Sequence, residues 1–230
     1  MELNPNKSIL IRKLGLIGII AVLITIISDI ILLGKASPAY YFLLYGTESM
    51  WDISTLRITV GAFVGTVALP FQLLGLVPVY YALKSTKKAL STLVILPCGY
   101  ALLMGVAFHF SYAFSGSAWK LNHRPEATQI TNELMQQYDL YWTILLVIMA
   151  ANLLLGSIIY TVVVAKGKTA YPRFMAIFSP ATVVAFTLPF VFLIPAPIGG
   201  YIAPACLNIS TLIFLILTQI VGYRRSIRIE

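Results

Sequence analysis

The residues best suited to chemistry in this 230-residue sequence are a few polar side chains set in long apolar runs. Asp29, His109 and Asn208 each interrupt such a run, and Arg57 stands at the start of another. A carboxylate, an imidazole and a guanidinium suffice for general acid–base work or for holding an anionic head group. Asp29 and His109 are therefore the candidate catalytic residues, although no reaction follows from their types alone.

These polar residues do not form a familiar metal or nucleophile motif. The sequence has two histidines, His109 and His123, and no His-x-x-x-His, Cys-x-x-Cys or Glu-x-x-His pair. Ser111 lies two residues from His109, a spacing that directs the two side chains to different faces of a helix. We therefore expect no metal site and no cofactor.

The apolar runs that carry these residues have the length of membrane spans. Apolar residues make up 59% of the chain and charged residues 10%, against about 25% charged in an ordinary soluble domain. A bilayer crossing takes about 20 helical residues, because hydrocarbon offers no partner to a free backbone N–H or C=O. The sequence predicts an all-α polytopic membrane protein, a single domain over 1–230 with six transmembrane helices at 14–34, 58–83, 89–115, 140–165, 174–194 and 201–222.

Basic residues beside the spans predict that both termini are cytoplasmic. The four basic residues left outside are Lys35, Arg57, Lys120 and Arg124. In so apolar a chain, the net charge of +8 indicates orientation in a plasma (inner) membrane rather than binding to nucleic acid. The sequence sets no oligomeric state. The twelve basic residues placed inside are Lys7, Arg12, Lys13, Lys84, Lys87, Lys88, Lys166, Lys168, Arg173, Arg224, Arg225 and Arg228.

Two longer segments, 35–56 and 116–139, are expected on the outside. The first is rich in aromatic residues, which suit the level of the lipid head groups. In the second, Pro125 followed by Glu126 predicts the start of a helix that runs into the fourth span. We expect both segments to roof the external mouth of the helix bundle.

The polar residues within the spans share a depth. Asp29, Arg57, His109 and Asn208 come from four helices, yet all are expected in the outer third of the bilayer. Tyr112 follows His109 by about one helical turn. We therefore expect these five residues to line one externally open pocket that binds a small amphiphile or a lipid head group, with Arg57 holding an anion.

Three other functions remain open from the sequence. A membrane-embedded hydrolase or transferase would use Asp29 and His109 as acid and base. A proton-coupled carrier would need a path to the cytoplasm past Gln72 and Asn152, which otherwise read as interhelical hydrogen bonds. An accessory subunit would present the polar residues to a partner helix.

Packing alone also accounts for several features. Gly61 and Gly65 form a small-residue contact that lets another helix approach closely. Cys98 and Cys206 read as buried apolar residues without a disulfide. Asp29 has a structural alternative as well, which is to pair with Arg57 or with a backbone N–H and lock two helices together.

Two stretches carry a resemblance to a known family. SDIILLG in the first span and GVAFHFSYAF in the third resemble an uncharacterised bacterial family of small multi-pass membrane proteins, known only as a domain of unknown function. The resemblance covers most of the chain and implies no particular activity.

Overall fold

The protein folds as a bundle of helices in a computed structural model that describes residues 5–84, 88–127 and 129–226. No strand occurs among these residues. Short 3₁₀ turns at Gly46–Met50, Leu69–Gly75, Arg173–Phe178 and Ala203–Ala205 connect or extend the α-helices. The α-helices are α1 Pro5–Leu33, α2 Ala39–Tyr45, α3 Thr55–Ala68, α4 Leu76–Leu83, α5 Lys88–Asn122, α6 Gln129–Ala165, α7 Pro180–Phe192, α8 Ile198–Ile202 and α9 Cys206–Ser226.

Five continuous helical stretches in the described part of the chain are long and apolar enough to cross a membrane. Their outer surfaces expose large apolar side chains, such as Val67 and Leu96, each 64% exposed. Soluble monomers rarely leave extended apolar surfaces uncovered. The prediction of an all-helical fold built on long apolar helices is confirmed. The five stretches are Asn6–Leu33, Thr55–Leu83, Lys88–Asn122, Gln129–Ala165 and Ile198–Gly222.

The fifth predicted span, 174–194, is not one continuous helix. A 3₁₀ turn over Arg173–Phe178 precedes α7, whose 13 residues extend about 20 Å at 1.5 Å per residue. The break lies at Ser179 because a residue before proline is disfavoured in the helical region. Ser179 is extended, with ψ at 156°, and its side chain accepts a hydrogen bond from the Thr182 N–H, so the helix restarts at Pro180.

Prolines also change the helical geometry in the second and last predicted spans. Pro70 falls in the 3₁₀ turn that joins α3 to α4, and Pro204 falls in the turn that joins α8 to α9. Proline has no N–H to donate, so it interrupts the regular α-helical bonding. Gln72 therefore lies on a 3₁₀ segment, and Asn208 lies in the first turn after the other one.

One end of the bundle, here called the basic end, joins the connection 166–172 to the end of α4. The Ala170 N–H donates to the Ala82 carbonyl at 2.9 Å. Lys7 and Lys84 place their ammonium groups 5.3 and 5.6 Å from the centre of the Tyr81 ring. Of the basic residues used to predict orientation, Lys87 and Arg228 lie outside the described residues, as do the side chains of Arg224 and Arg225.

At the opposite end, the residues that follow α1 bond to α8. The Gly200 N–H donates to the Ser37 carbonyl at 2.7 Å, and the Lys35 N–H donates to the Gly200 carbonyl at 3.2 Å. The rings of Trp51 and His123 stack 4.9 Å apart at this same end. The connections 34–38, 123–127 and 193–197 therefore lie far along the bundle from the connection 166–172.

The segment 116–139, which is expected on the outside, is mostly helix. α5 continues to Asn122, seven residues beyond its predicted end, and α6 begins at Gln129 rather than at Pro125. The helix expected to start outside and run into the fourth span is thus α6. Pro125 instead lies in the turn that separates α5 from α6.

Candidate functional site

A cavity of about 410 Å³ lies within the bundle, bounded by α1, α5, α6, α7, α9 and the 3₁₀ turn Leu69–Gly75. Ligand pockets commonly measure about 300–1,000 Å³ and combine apolar walls with a few polar groups. Most of the wall here is aliphatic or aromatic. The polar side chains on it are Asp29, Gln72, His109, Tyr112, Asn208, Ser210 and Thr211, together with Trp142, whose indole N–H is buried without a partner among the described residues.

Asp29 and His109 form a buried pair on this wall. The Nδ1 atom of His109 lies 3.2 Å from Oδ1 of Asp29, and each residue is only 4% exposed. His109 reaches this position because Gly65 carries no side chain. A Cβ at residue 65 would overlap the His109 ring and would lie 2.5 Å from Oγ of Ser28.

A chain of side-chain amides leads away from Asp29. The Asn208 Nδ2–H donates to Oδ2 of Asp29 at 2.7 Å. The Gln72 Nε2–H donates to Oδ1 of Asn208 at 3.1 Å and to Oγ1 of Thr25 at 3.0 Å. Asp29 Oδ2 accepts, so Asn208 must present its NH₂ group to it and Gln72 must present its own to Asn208. This orientation leaves Oε1 of Gln72 buried, without a hydrogen-bond partner among the described residues.

The hydrogen bonds around His109 indicate whether its Nε2 atom carries a proton. Ser28 donates its hydroxyl proton to the Gly61 carbonyl at 2.5 Å. The Nε2 atom of His109 faces that same carbonyl at 3.1 Å and Oγ of Ser28 at 3.2 Å. Because the carbonyl only accepts and the Ser28 proton is already used, Nε2 must carry a proton.

It follows that Nδ1 of His109 and Oδ1 of Asp29 share a single further proton. The pair is either a neutral imidazole with a carboxylic acid or an imidazolium with a carboxylate. Both forms have no net charge, which avoids the large cost of burying one unpaired ion. The arrangement can hold a proton or move it between two defined atoms.

Ser28, His109 and Asp29 stand in the order of a hydrolase triad, with Ser28 Oγ on Nε2 and Asp29 on Nδ1. A triad needs an Nε2 that accepts the serine proton. Here Nε2 is itself a donor, and Ser28 is fully buried and absent from the cavity wall. The observed hydrogen bonds therefore do not activate Ser28.

Arg57 lies apart from the other predicted site residues. Its Nε–H donates to the Ile31 carbonyl at 2.9 Å, and its Nη2 group donates to the carbonyls of Gly34 at 2.7 Å and Ile30 at 3.4 Å. The last carbonyls of a helix lack N–H donors within the helix, and Arg57 donates to such carbonyls at the end of α1. It does not line the cavity. The alternative in which Asp29 pairs with Arg57 is wrong, since Asp29 bonds to His109 and Asn208.

Tyr112 and the two segments expected outside differ in their relation to the cavity. Tyr112 lines the cavity, with its ring centre 5.3 Å from that of Phe108 and 6.0 Å from that of Trp142. The segment 35–56 contributes Phe42, Leu43 and Gly46 to the wall. No described residue of 116–139 does so, because that segment continues the helices away from the cavity.

Gln72 and Asn152, the two amides expected to form interhelical hydrogen bonds, behave differently from each other. Gln72 makes such bonds to Thr25 and Asn208 and also borders the cavity, a role that the sequence did not predict. The signal for this role is its spacing of seven residues from Gly65, which places it on the helix face of Gly61 and Gly65. Asn152 donates to the Ile148 carbonyl of its own helix at 2.9 Å, so the prediction of an interhelical bond there is wrong.

Comparison with known proteins gives one match. No curated protein and no solved structure matches the chain. A family model matches residues 3–224, a range that contains every residue of the site just described. The predicted resemblance to an uncharacterised family is confirmed. The chain belongs to the family of unknown function DUF6796.

Proposed function

We propose that this protein is a multi-pass protein of the plasma membrane whose cavity binds a small amphiphile with a hydrogen-bond-donating head group. The observation that carries the proposal is Oε1 of Gln72, a buried acceptor without a partner among the described residues, on the wall of a largely apolar cavity. An unsatisfied buried acceptor costs about 1–3 kcal/mol. A ligand N–H or O–H group at Gln72 removes that cost.

The charges around the cavity favour an uncharged or cationic head group. Neither Lys nor Arg is among the described residues that line the wall. Arg57, first expected to hold an anion, donates to backbone carbonyls instead. The Asp29–His109 pair has no net charge, so it offers an anion no compensation. A long-chain alcohol or amine therefore fits better than a fatty acid or a phosphate ester.

The proposed topology has six crossings with both termini in the cytoplasm. Contacts at the two ends of the bundle support it, since the 166–172 connection contacts Ala82 and Gly200 of α8 contacts Ser37. The 3₁₀ turn Arg173–Phe178 and α7 together run between these ends. The concentration of Lys and Arg at the basic end supports a cytoplasmic location for that end.

A test of the binding proposal compares ligands that differ only in their head group. The probes are dodecanol, dodecylamine and dodecanoate, added to the protein in nanodiscs of zwitterionic lipid. We expect dodecanol or dodecylamine to bind and to raise the unfolding temperature, and dodecanoate to bind at least about tenfold more weakly, a difference of about 1.4 kcal/mol. Equal or tighter binding of dodecanoate contradicts the proposal.

Gln72→Leu is the informative variant, because it removes the acceptor and replaces the amide with an apolar side chain of similar size. Its matched control is Asn152→Leu, which changes another amide that does not line the cavity. We expect Gln72→Leu to weaken dodecanol binding at least about tenfold. Asn152→Leu should bind like the unchanged protein. Unchanged affinity in Gln72→Leu refutes the assignment of the head group to this residue.

A second candidate function is a membrane-embedded hydrolase, favoured by the triad-like order of Ser28, His109 and Asp29. It requires the Ser28 hydroxyl to turn from the Gly61 carbonyl to Nε2 of His109. A fluorophosphonate probe reports an activated serine directly. We expect no labelling of Ser28, whereas labelling that disappears in His109→Ala would favour the hydrolase.

The proton-coupled carrier has less support. A continuous cluster of buried apolar side chains fills the bundle on the side of the basic end, and its members include Val22, Val79, Leu83, Val94 and Val164. A carrier needs a polar path through this region. Asn152, the residue expected on that path, bonds to its own helix.

A further inference from the structure

A second cleft, of about 420 Å³, lies at the basic end of the bundle. It is separate from the cavity around Asp29 and shares none of its lining residues. α1, α4, α9 and the 166–172 connection form its sides. One part of the wall is polar, with Ser8, Arg12, Tyr171 and Gln219, and the rest is largely aliphatic.

The polar part of this cleft presents hydrogen-bond donors. The Nε2 atom of Gln219 is buried and has no hydrogen-bond partner among the described residues. Burial raises the pKa of Tyr171 well above its ordinary value, so its hydroxyl keeps its proton. Arg12 adds a permanent positive charge. No acidic residue is among the described residues that form the wall.

Further positive charge lies beside the cleft. Tyr81 is part of its wall, and the ammonium groups of Lys7 and Lys84 both lie within 6 Å of the centre of that ring. The aliphatic part, which includes Ile19, Ile216 and Ile220, belongs to the same wall as Tyr81. A ligand that fits both parts carries an anionic head group and an apolar chain.

We propose that this cleft binds the phosphate head group of an anionic phospholipid, with Arg12 and Gln219 as donors to the phosphate oxygens. Guanidinium and amide N–H groups form strong hydrogen bonds to such oxygens. The isoleucine side chains would contact the upper part of an acyl chain. In the topology proposed above, the basic end faces the cytoplasmic leaflet, where anionic lipids attract clustered basic residues. The cleft itself is independent of the amphiphile proposal.

The test uses short-chain lipids that have the same acyl chains and differ in their head groups, one anionic and one zwitterionic. Dioctanoyl phosphatidylglycerol and dioctanoyl phosphatidylcholine are titrated into the protein in a neutral detergent, and bound lipid is counted by native mass spectrometry. We expect the anionic lipid to bind at least about tenfold more tightly. Equal binding of both lipids overturns the proposal. Glycerol 3-phosphate is the third ligand, and affinity equal to that of the anionic lipid overturns the assignment to a lipid.

Variants separate the cleft from general surface charge. Arg12→Gln and Gln219→Leu should each weaken binding of the anionic lipid at least about tenfold. Lys13→Gln removes the same charge from the adjacent exposed residue, which does not line the cleft. It should leave binding within about twofold of the unchanged protein. Arg12 is exposed, so its replacement does not disturb the core. A loss of lipid affinity in Lys13→Gln as large as that in Arg12→Gln refutes the site.

Discussion

Nδ1 of His109 lies 3.2 Å from Oδ1 of Asp29, and the two atoms share one proton between two helices. The number of protons follows from the far side of the imidazole, where Nε2 faces the Gly61 carbonyl and the hydroxyl of Ser28. The pair is therefore neutral as a unit. This neutrality explains how a carboxylate is tolerated in an apolar bundle, and it sets the first expectation for variants.

Replacing Asp29 tests the neutrality of the pair. Asp29→Asn keeps an acceptor for Asn208 and gives His109 Nδ1 an N–H donor, so it should lower the free energy of unfolding by about 1 kcal/mol or less. Asp29→Leu leaves two buried polar groups unpaired and should cost about 2–6 kcal/mol. Thermal unfolding in one detergent measures both. A loss in Asp29→Asn as large as that in Asp29→Leu would show that the site needs a negative charge.

The contact between Gly65 and His109 should not tolerate a larger residue. Gly65→Ala places a methyl group into the imidazole and should destabilise the protein by about 1–3 kcal/mol, while weakening dodecanol binding. Gly99→Ala is the control, because its nearest neighbour is a Leu73 methyl group at an ordinary 3.4 Å. It should change stability by no more than about 1 kcal/mol. Equal effects of the two changes on unfolding would contradict the crowded site.

Arg57 should matter for stability and not for the ligand. Arg57→Gln removes the guanidinium that bonds to three carbonyls at the end of α1, which should cost about 1–3 kcal/mol. Dodecanol affinity should stay within about twofold. Arg124→Gln, at an exposed turn, should change stability by no more than about 0.5 kcal/mol. If Arg57→Gln abolishes ligand binding in a protein of normal stability, Arg57 belongs to the site after all.

The six crossings can be tested with single cysteines. Arg124→Cys and Ala196→Cys are made in a chain whose Cys98 and Cys206 are alanine, and each should react with an impermeant maleimide on intact cells. Lys166→Cys should react only after permeabilisation. All three positions are exposed in the structure. Labelling of Ala196→Cys only after permeabilisation would mean that 173–192 does not cross the membrane.

Much of the fold follows from the sequence because the apolar runs are long. Residues 6–33 and 129–165 contain enough consecutive apolar positions that a long helix is the outcome expected in hydrocarbon. The break before Pro180 is harder to predict. The 3₁₀ turn and the short helix α7 occupy the same stretch of sequence as one uninterrupted span would. Whether the helix is continuous or broken there depends on the backbone conformation of Ser179.

The sequence predicts those residues of the candidate site whose position depends on their depth along the helices. Asp29, His109 and Asn208 meet because each is too polar for the apolar outer surface of the bundle and all three lie at a similar level along it. Arg57 shares that level, but its long side chain reaches the carbonyls of the neighbouring helix, a preference that no spacing reveals. The position of Gln72 depends on the 3₁₀ turn that Pro70 introduces, which changes the direction of the side chain from that in a regular helix.

The one-way order of donors along Gln72, Asn208 and Asp29 connects events at its two ends. A donor bound at Oε1 of Gln72 would polarise each N–H along the row and so strengthen the hydrogen bond that Asp29 accepts from Asn208. By thermodynamic reciprocity, a change in the Asp29–His109 pair would then alter how tightly the donor is held. Binding at Gln72 and the state of the buried pair would thus be coupled through two amide side chains.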